Sequence, residues 1–139
     1  MNPPPAFTGF PQKGLVFFKE LAENNDKLWF DAHRGDYEHH VLGPARYFIV
    51  ALGDRLKSIA PKIQADPRVN KTLFRINRDT RFRHDKTPYK THLALWFWEG
   101  TRPRMECSGF YFHLVDFCFG HYKNMLPLHR WLLALTQRV

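Results

Sequence analysis

Residues 92–98, His-Leu-Ala-Leu-Trp-Phe-Trp, constrain the fold more than any other stretch of this chain. They are apolar on both parities and rich in aromatics, the pattern of a strand covered on both sides. Residues 109–116 (GFYFHLVD) read as a second strand, Leu73–Asn77 as a short one, and Phe117–Tyr122 as a further strand after a bend. The first sixty residues follow a different period. Leu15, Phe18 and Leu21 recur at helical spacing, and Asn24-Asn25-Asp26 stops that helix, with Asp26 placed to cap the next. Lys27–Val41 is helical but imperfect, with Gly35 inside it. Gly43-Pro44 interrupts the pattern, and Phe48/Ile49, Leu52, Leu56 and Ile59 form a stripe ending at Pro61. Residues 61–70 read as a polar loop, and Leu126–Leu135 as a last helix. Helices first and strands later predict an α+β domain, with N-terminal helices packed on an antiparallel sheet.

The length of 139 residues suits one domain, expected over residues 13–139 behind a proline-rich arm, residues 1–12. Phe7 and Phe10 of that arm are expected to dock on the body. Aromatic residues make up 16% of the chain, enough for a sizeable core. No apolar run approaches the roughly 20 residues that span a bilayer. The start, Met1-Asn2-Pro3-Pro4-Pro5, lacks the pattern of a secretion signal, so a cytoplasmic protein with no membrane partner is expected. The two cysteines, Cys107 and Cys118, form no CxxC pair and read as reduced, buried thiols.

The formal charge of +8 is unevenly placed. Residues 71–104 carry nine basic side chains against three acidic, which is +6 of that total. A localised field of this sign attracts phosphate-bearing partners; the alternative is a solvated face or a set of internal ion pairs. Most of these charges lie in residues 75–92, where a long loop is expected between the strand at 73–77 and the one at 91–98. Loops of that length within compact domains often carry function. Arg75, Arg78 and Arg81 offer planar forks for phosphate or carboxylate, Lys86 and Lys90 offer point charges, and Tyr89 adds a neutral donor. Asp79 or Asp85 would orient an arginine or act as a base. The same residues would equally serve a structural Arg–Asp network with no ligand.

Strand parity puts His92 on one face with Ala94, Trp96 and Trp98, and His113 on one face with Tyr111 and Val115. If those faces meet, two imidazoles and a tyrosine line one patch, with imidazole the group best matched to proton transfer near neutral pH. A strand histidine simply hydrogen-bonded in place is the plainer reading. His33, Asp36 and His40 fall roughly on one helical face, but the spacing matches no metal motif, so no metal and no cofactor are assigned. Trp96, Phe97, Trp98 and Tyr111 near basic residues would stack nucleic-acid bases, or else form core. A glycine-rich phosphate loop, a GxSxG elbow and a supported cysteine nucleophile are all absent from the sequence.

Taken in order, Phe7-Thr8-Gly9-Phe10, Asn24 to Phe30 (NNDKLWF), Arg75 to Phe82 (RINRDTRF), Asp85 to His92 (DKTPYKTH) and Ser108 to His113 (SGFYFH) form a specific joint pattern. The chain resembles domain-of-unknown-function family 2461 over about residues 5–115. The resemblance implies an α+β fold and no established activity or cofactor. Its motif residues here are Arg75, Arg78, Asp79, Arg81, Lys86, Tyr89, Lys90, His92 and His113, the set already singled out by charge. Members look longer, and residues 116–139 match poorly, so the C-terminal part of the family is expected to be missing or divergent. Four readings of function stay open. They are a small-anion site held by Arg75, Arg78, Arg81, Lys86, Tyr89 and Lys90; a nucleic-acid binder; a hydrolase or transferase of a phosphorylated substrate using His92, His113 or Asp79; and an ion-pair network without ligand. Oligomeric state is left open.

Overall fold

The computed structural model describes residues 7–115. Helix α1 (Gln12–Glu23) begins after Pro11 and buries Leu15, Phe17, Phe18 and Leu21, the stripe expected from its spacing. Asp26 then caps α2 (Lys27–Ala32), its carboxylate accepting the Trp29 N–H at 2.8 Å. Helix α3 (Arg34–Tyr37) passes through a π-helical turn, Glu38–Leu42, directly into α4 (Gly43–Leu56). The chain is therefore not broken at Gly43-Pro44, where the sequence predicts an interruption. Pro44 has no N–H for the His40 carbonyl, and the turn widens so that Gly43 donates to Glu38 five residues back. Gly14 of α1 packs against that His40 carbonyl, and a Cβ at position 14 would collide with it. Helix α4 ends at Leu56, three residues before the predicted stripe does, so Ile59 is exposed and Ala60 turns inward instead.

Among the described residues the sheet is three-stranded and antiparallel, in the order β1-β2-β3. Strand β1 (Ile63–Gln64) lies in the segment expected to be loop; its two residues are too few to show a period. Strand β2 (His92–Glu99) pairs with β3 (Gly109–Val115) from His92↔Val115 to Trp98↔Gly109. On the other edge of β2, Leu73 bridges Leu95, with the Phe74 N–H on the Ala94 carbonyl and the Trp96 N–H on the Thr72 carbonyl. The expected strand at 73–77 is thus two isolated bridges, at Leu73 and Asn77, rather than a continuous run.

The domain is α+β. Leu93, Leu95 and Phe97 of β2 join Phe112 and Leu114 of β3 in a core completed by Leu15, Phe18, Phe48, Ile49 and Leu52 of α1 and α4. Phe7 and Phe10 dock there, their rings 5.1 and 5.3 Å from that of Phe48. The opposite face of β2 is covered as well: Ala94 and Trp96 are buried, and the Trp96 indole N–H donates to the Arg104 carbonyl at 2.9 Å. Among the described residues, no helix is long and apolar enough to cross a membrane. The expected strand at Phe117–Tyr122, the last helix and Cys118 lie outside the described residues; Cys107 is a buried free thiol.

Candidate functional site

The segment 75–92 is a hairpin with a narrower loop than its sequence suggests. Asn77 bridges Tyr89, the Arg78 N–H bonds the Pro88 carbonyl and the Lys90 N–H bonds the Ile76 carbonyl, both at 2.8 Å. Only residues 79–87 remain to form the loop. The hairpin is fixed to the body at Tyr89, whose buried ring stacks on Phe30 with centroids 4.2 Å apart. Asn25, in the turn before α2, imitates a neighbouring strand: its amide donates to the Tyr89 carbonyl at 2.9 Å and accepts the Tyr89 N–H at 3.0 Å. In the sequence Asn25 shows only as a helix breaker and a member of the motif. A pairing across 64 residues has no local signal.

The cations on this hairpin are held in two different ways. Arg81 is committed to a carboxylate, its Nε and Nη2 donating to Asp79 at 2.9 and 2.6 Å. Arg81 thereby holds the Asp79 carboxyl well below the usual carboxylate range, which makes Asp79 a poor base. Arg78, only 19% exposed, donates through Nε to the Tyr89 carbonyl at 3.0 Å and through Nη1 to Asp85 at 3.2 Å. Asp85 is shared with Thr87, whose N–H and hydroxyl, first among its partners, lower its carboxyl. Lys86 and Lys90 instead face neutral oxygens, donating to the carbonyls of Thr80 at 2.6 Å and Arg75 at 2.8 Å.

Lys90 is surrounded by other cations. Its ammonium lies 5.5 Å from the Phe74 ring centroid, and the Arg104 guanidinium lies 4.9 Å from the same ring. Arg104 is tied in turn to the Lys71 carbonyl. Burial lowers the proton affinity of Lys90, and Arg75, Arg78, Arg104 and Arg83 lower it further by repulsion. Among the described residues, no carboxylate makes an ion pair with Lys90; Asp79 and Asp85 are engaged by Arg81 and Arg78.

Next to this cluster the β2–β3 register sets two imidazoles face to face. His113 lies opposite Ala94 and His92 opposite Val115, so the histidines are diagonal neighbours, with ring centroids 4.3 Å apart. The Tyr111 hydroxyl is 3.3 Å from His113 Nδ1. Burial pushes the His92 imidazole down to about 4, with His113, Lys90 and Arg78 adding to the effect. Burial also lowers His113 and raises Tyr111. Both imidazoles are therefore neutral at pH 7, each with one N–H donor and one acceptor nitrogen.

A family model described as "Conserved hypothetical protein (DUF2461)" matches residues 13–125 of this chain. The chain belongs to that family. The match runs past residue 115 and contains every residue of the hairpin and both histidines. No curated protein and no solved structure matches the chain. The description of the DUF2461 family names no reaction.

Of the side chains predicted for the DUF2461 site, the structure brings together Arg75, Arg78, Lys90, His92 and His113, with Arg83 and Arg104 beside them. Arg81 and Lys86 lie on the exposed loop. The Tyr89 ring belongs to the core and lines no surface. His33 stacks on Trp29 at 4.0 Å and is bonded to its carbonyl, and His40 lies within the π-helical turn. Trp96, weighed as a base-stacking residue, is buried at 6% exposure. Arg104 adds to the charge of residues 71–104 but carries no site signal in the sequence, because only the fold of the 100–108 connection brings it to Phe74.

Proposed function

We propose that this domain binds a small phosphate-bearing or otherwise anionic ligand at Lys90, with Arg75, Arg78 and Arg104 around it and His92 and His113 at its edge. The observation that carries this reading is Lys90 itself, a half-buried ammonium crowded by four guanidinium groups and, among the described residues, bonded only to a neutral carbonyl. Like charges brought together out of water cost stability. Asp85 pairs with Arg78 and lies in the field of Arg83, and Asp79 lies in that of Arg75, but neither carboxylate makes an ion pair with the Lys90 ammonium. An oxyanion at Lys90 turns the same repulsion into binding energy, and the guanidinium forks give it directional donors.

The test is thermal denaturation with pyrophosphate or phosphate against chloride at equal ionic strength. The expected result is a rise in Tm with the phosphates only, abolished in Lys90→Met. No rise in the wild-type protein at millimolar anion rejects the reading and leaves the ion-pair network as the account of the arginines.

A second reading, hydrolysis or transfer on a phosphorylated substrate, is favoured by the neutral His92–His113 pair with Tyr111 at its side. A bound phosphate would raise the His92 imidazole from about 4 toward the ordinary range, where a neutral imidazole is suited to take a proton from an attacking hydroxyl or water. It predicts turnover of a phosphate ester that is lost in both His92→Gln and His113→Gln while ligand affinity is kept. Unchanged turnover in either variant would refute that role.

A further inference from the structure

Phe82 is 92% exposed, the highest value among the exposed large apolar side chains of the described residues. The loop that carries it is nevertheless well tied. Asp79 accepts the Arg81 N–H at 3.2 Å as well as its guanidinium, the Lys86 ammonium crosses the loop to the Thr80 carbonyl, and Asp85 gathers Thr87. Ordering a loop costs conformational entropy, and a ring left in water returns nothing to folding. The Arg81 guanidinium lies 5.7 Å from the Phe82 centroid, and Arg83, His84 and Lys86 are exposed around it. The hairpin therefore presents one bare aromatic ring amid cations, within residues 71–104, which hold +6 of the chain's +8 charge.

We infer that Phe82 is a stacking platform for a base of single-stranded nucleic acid, whose phosphates run along the cations of this hairpin. The inference rests on the anion-binding reading, since one phosphate of the strand would take the Lys90 site. Base–aromatic stacking needs one open ring face and tolerates any sequence, and a nearby guanidinium strengthens it. A bilayer fits less well. Phe82 is the only apolar residue of the loop between Asp79 and Thr87, and inserting it would drag Arg81 and Arg83 toward hydrocarbon. A duplex keeps its bases stacked on each other and offers the ring none.

The test is anisotropy of labelled oligouridylate and oligothymidylate with the full chain, at low and moderate salt. Duplex of equal length, phosphatidylserine vesicles and the pyrophosphate Tm shift are measured in parallel. The expected result is salt-sensitive binding of single strands over duplex, weakened roughly 5- to 100-fold in Phe82→Ala and restored in Phe82→Trp. The pyrophosphate shift should be the same in both variants, which also shows that they fold. A Phe82→Ala protein that binds as tightly as wild type overturns the inference. So does equal affinity for duplex, or Phe82-dependent capture on vesicles with free oligonucleotide. A pyrophosphate shift without oligonucleotide binding overturns this inference alone; absence of both overturns the anion reading with it.

Discussion

On one face of β2, Leu93, Leu95 and Phe97 meet Phe112, Leu114 and the helices, and their exposures of 0–3% leave nothing polar to satisfy. On the other face, the same strand carries His92 toward His113, while Lys90 just before it enters a group of four arginines. The two faces are one backbone apart, yet the first holds apolar side chains alone, while the second buries Ala94 and Trp96 and also brings ionisable groups together. Repulsion among cations and a histidine kept from its proton are features that folding alone does not select. The proposed anion site would account for both features.

Breaking the apolar face should have the largest effect. Phe97→Ala removes a ring with 0% exposure and is expected to cost about 3–5 kcal/mol in urea denaturation, with loss of cooperativity near physiological temperature. The hairpin anchor comes next. Asn25→Ala leaves the Tyr89 N–H without its partner and the Tyr89 carbonyl with Arg78 only, an expected loss of roughly 2 kcal/mol by the same measurement. A cost below that of an ordinary surface change would mean that the hairpin is held by Tyr89 and Ile76 packing alone.

Acidity sharpens the contrast from the other side. His92 takes its proton at about 4 in the folded chain against 6.5 in the unfolded one. Between those values the unfolded state binds more protons, so stability falls as pH drops from 6.5 toward 4 and is unaffected above 7. For a half-exposed ring, solvent screening reduces this to about 1 kcal/mol. Urea midpoints at pH 7, 5.5 and 4.5 should show that slope in the wild type and a flatter one in His92→Gln. The smallest effect is expected at Lys90. Lys90→Met keeps the contact with Phe74 and relieves repulsion, so the ligand-free protein should stay within about 0.5 kcal/mol of wild type while its phosphate response disappears. A loss of several kcal/mol would show that Lys90 is structural.

These contrasts were unequally visible in the sequence. The strand at 92–98 announces burial on both sides, and residues 109–115 carry enough length and aromatic content to pair with it, so the sheet and the leading helices could be read directly. Charge density found the hairpin, and parity found the His92–His113 pair. What sequence could not give is which cations remain unneutralised. Asp79 and Asp85 lie close to all of them in the chain, and only the folded loop shows that Arg81 and Arg78 take both carboxylates and leave Lys90 none. Tyr89 misled for the same reason, since a tyrosine between basic residues looks like a ligand donor until its ring is seen on Phe30. The π-helical turn and Asn25 depend on a missing N–H and on a distant backbone, neither of which leaves a period.

The most direct test of the central claim is a phosphate titration followed by NMR of the histidine imidazoles. The account predicts that the His92 and His113 resonances move with added phosphate, that the His92 value climbs from about 4 toward the ordinary range, and that His33, His39 and His84 stay still. Unmoved His92 and His113 resonances at millimolar phosphate, or an equal drift of every imidazole, would contradict it.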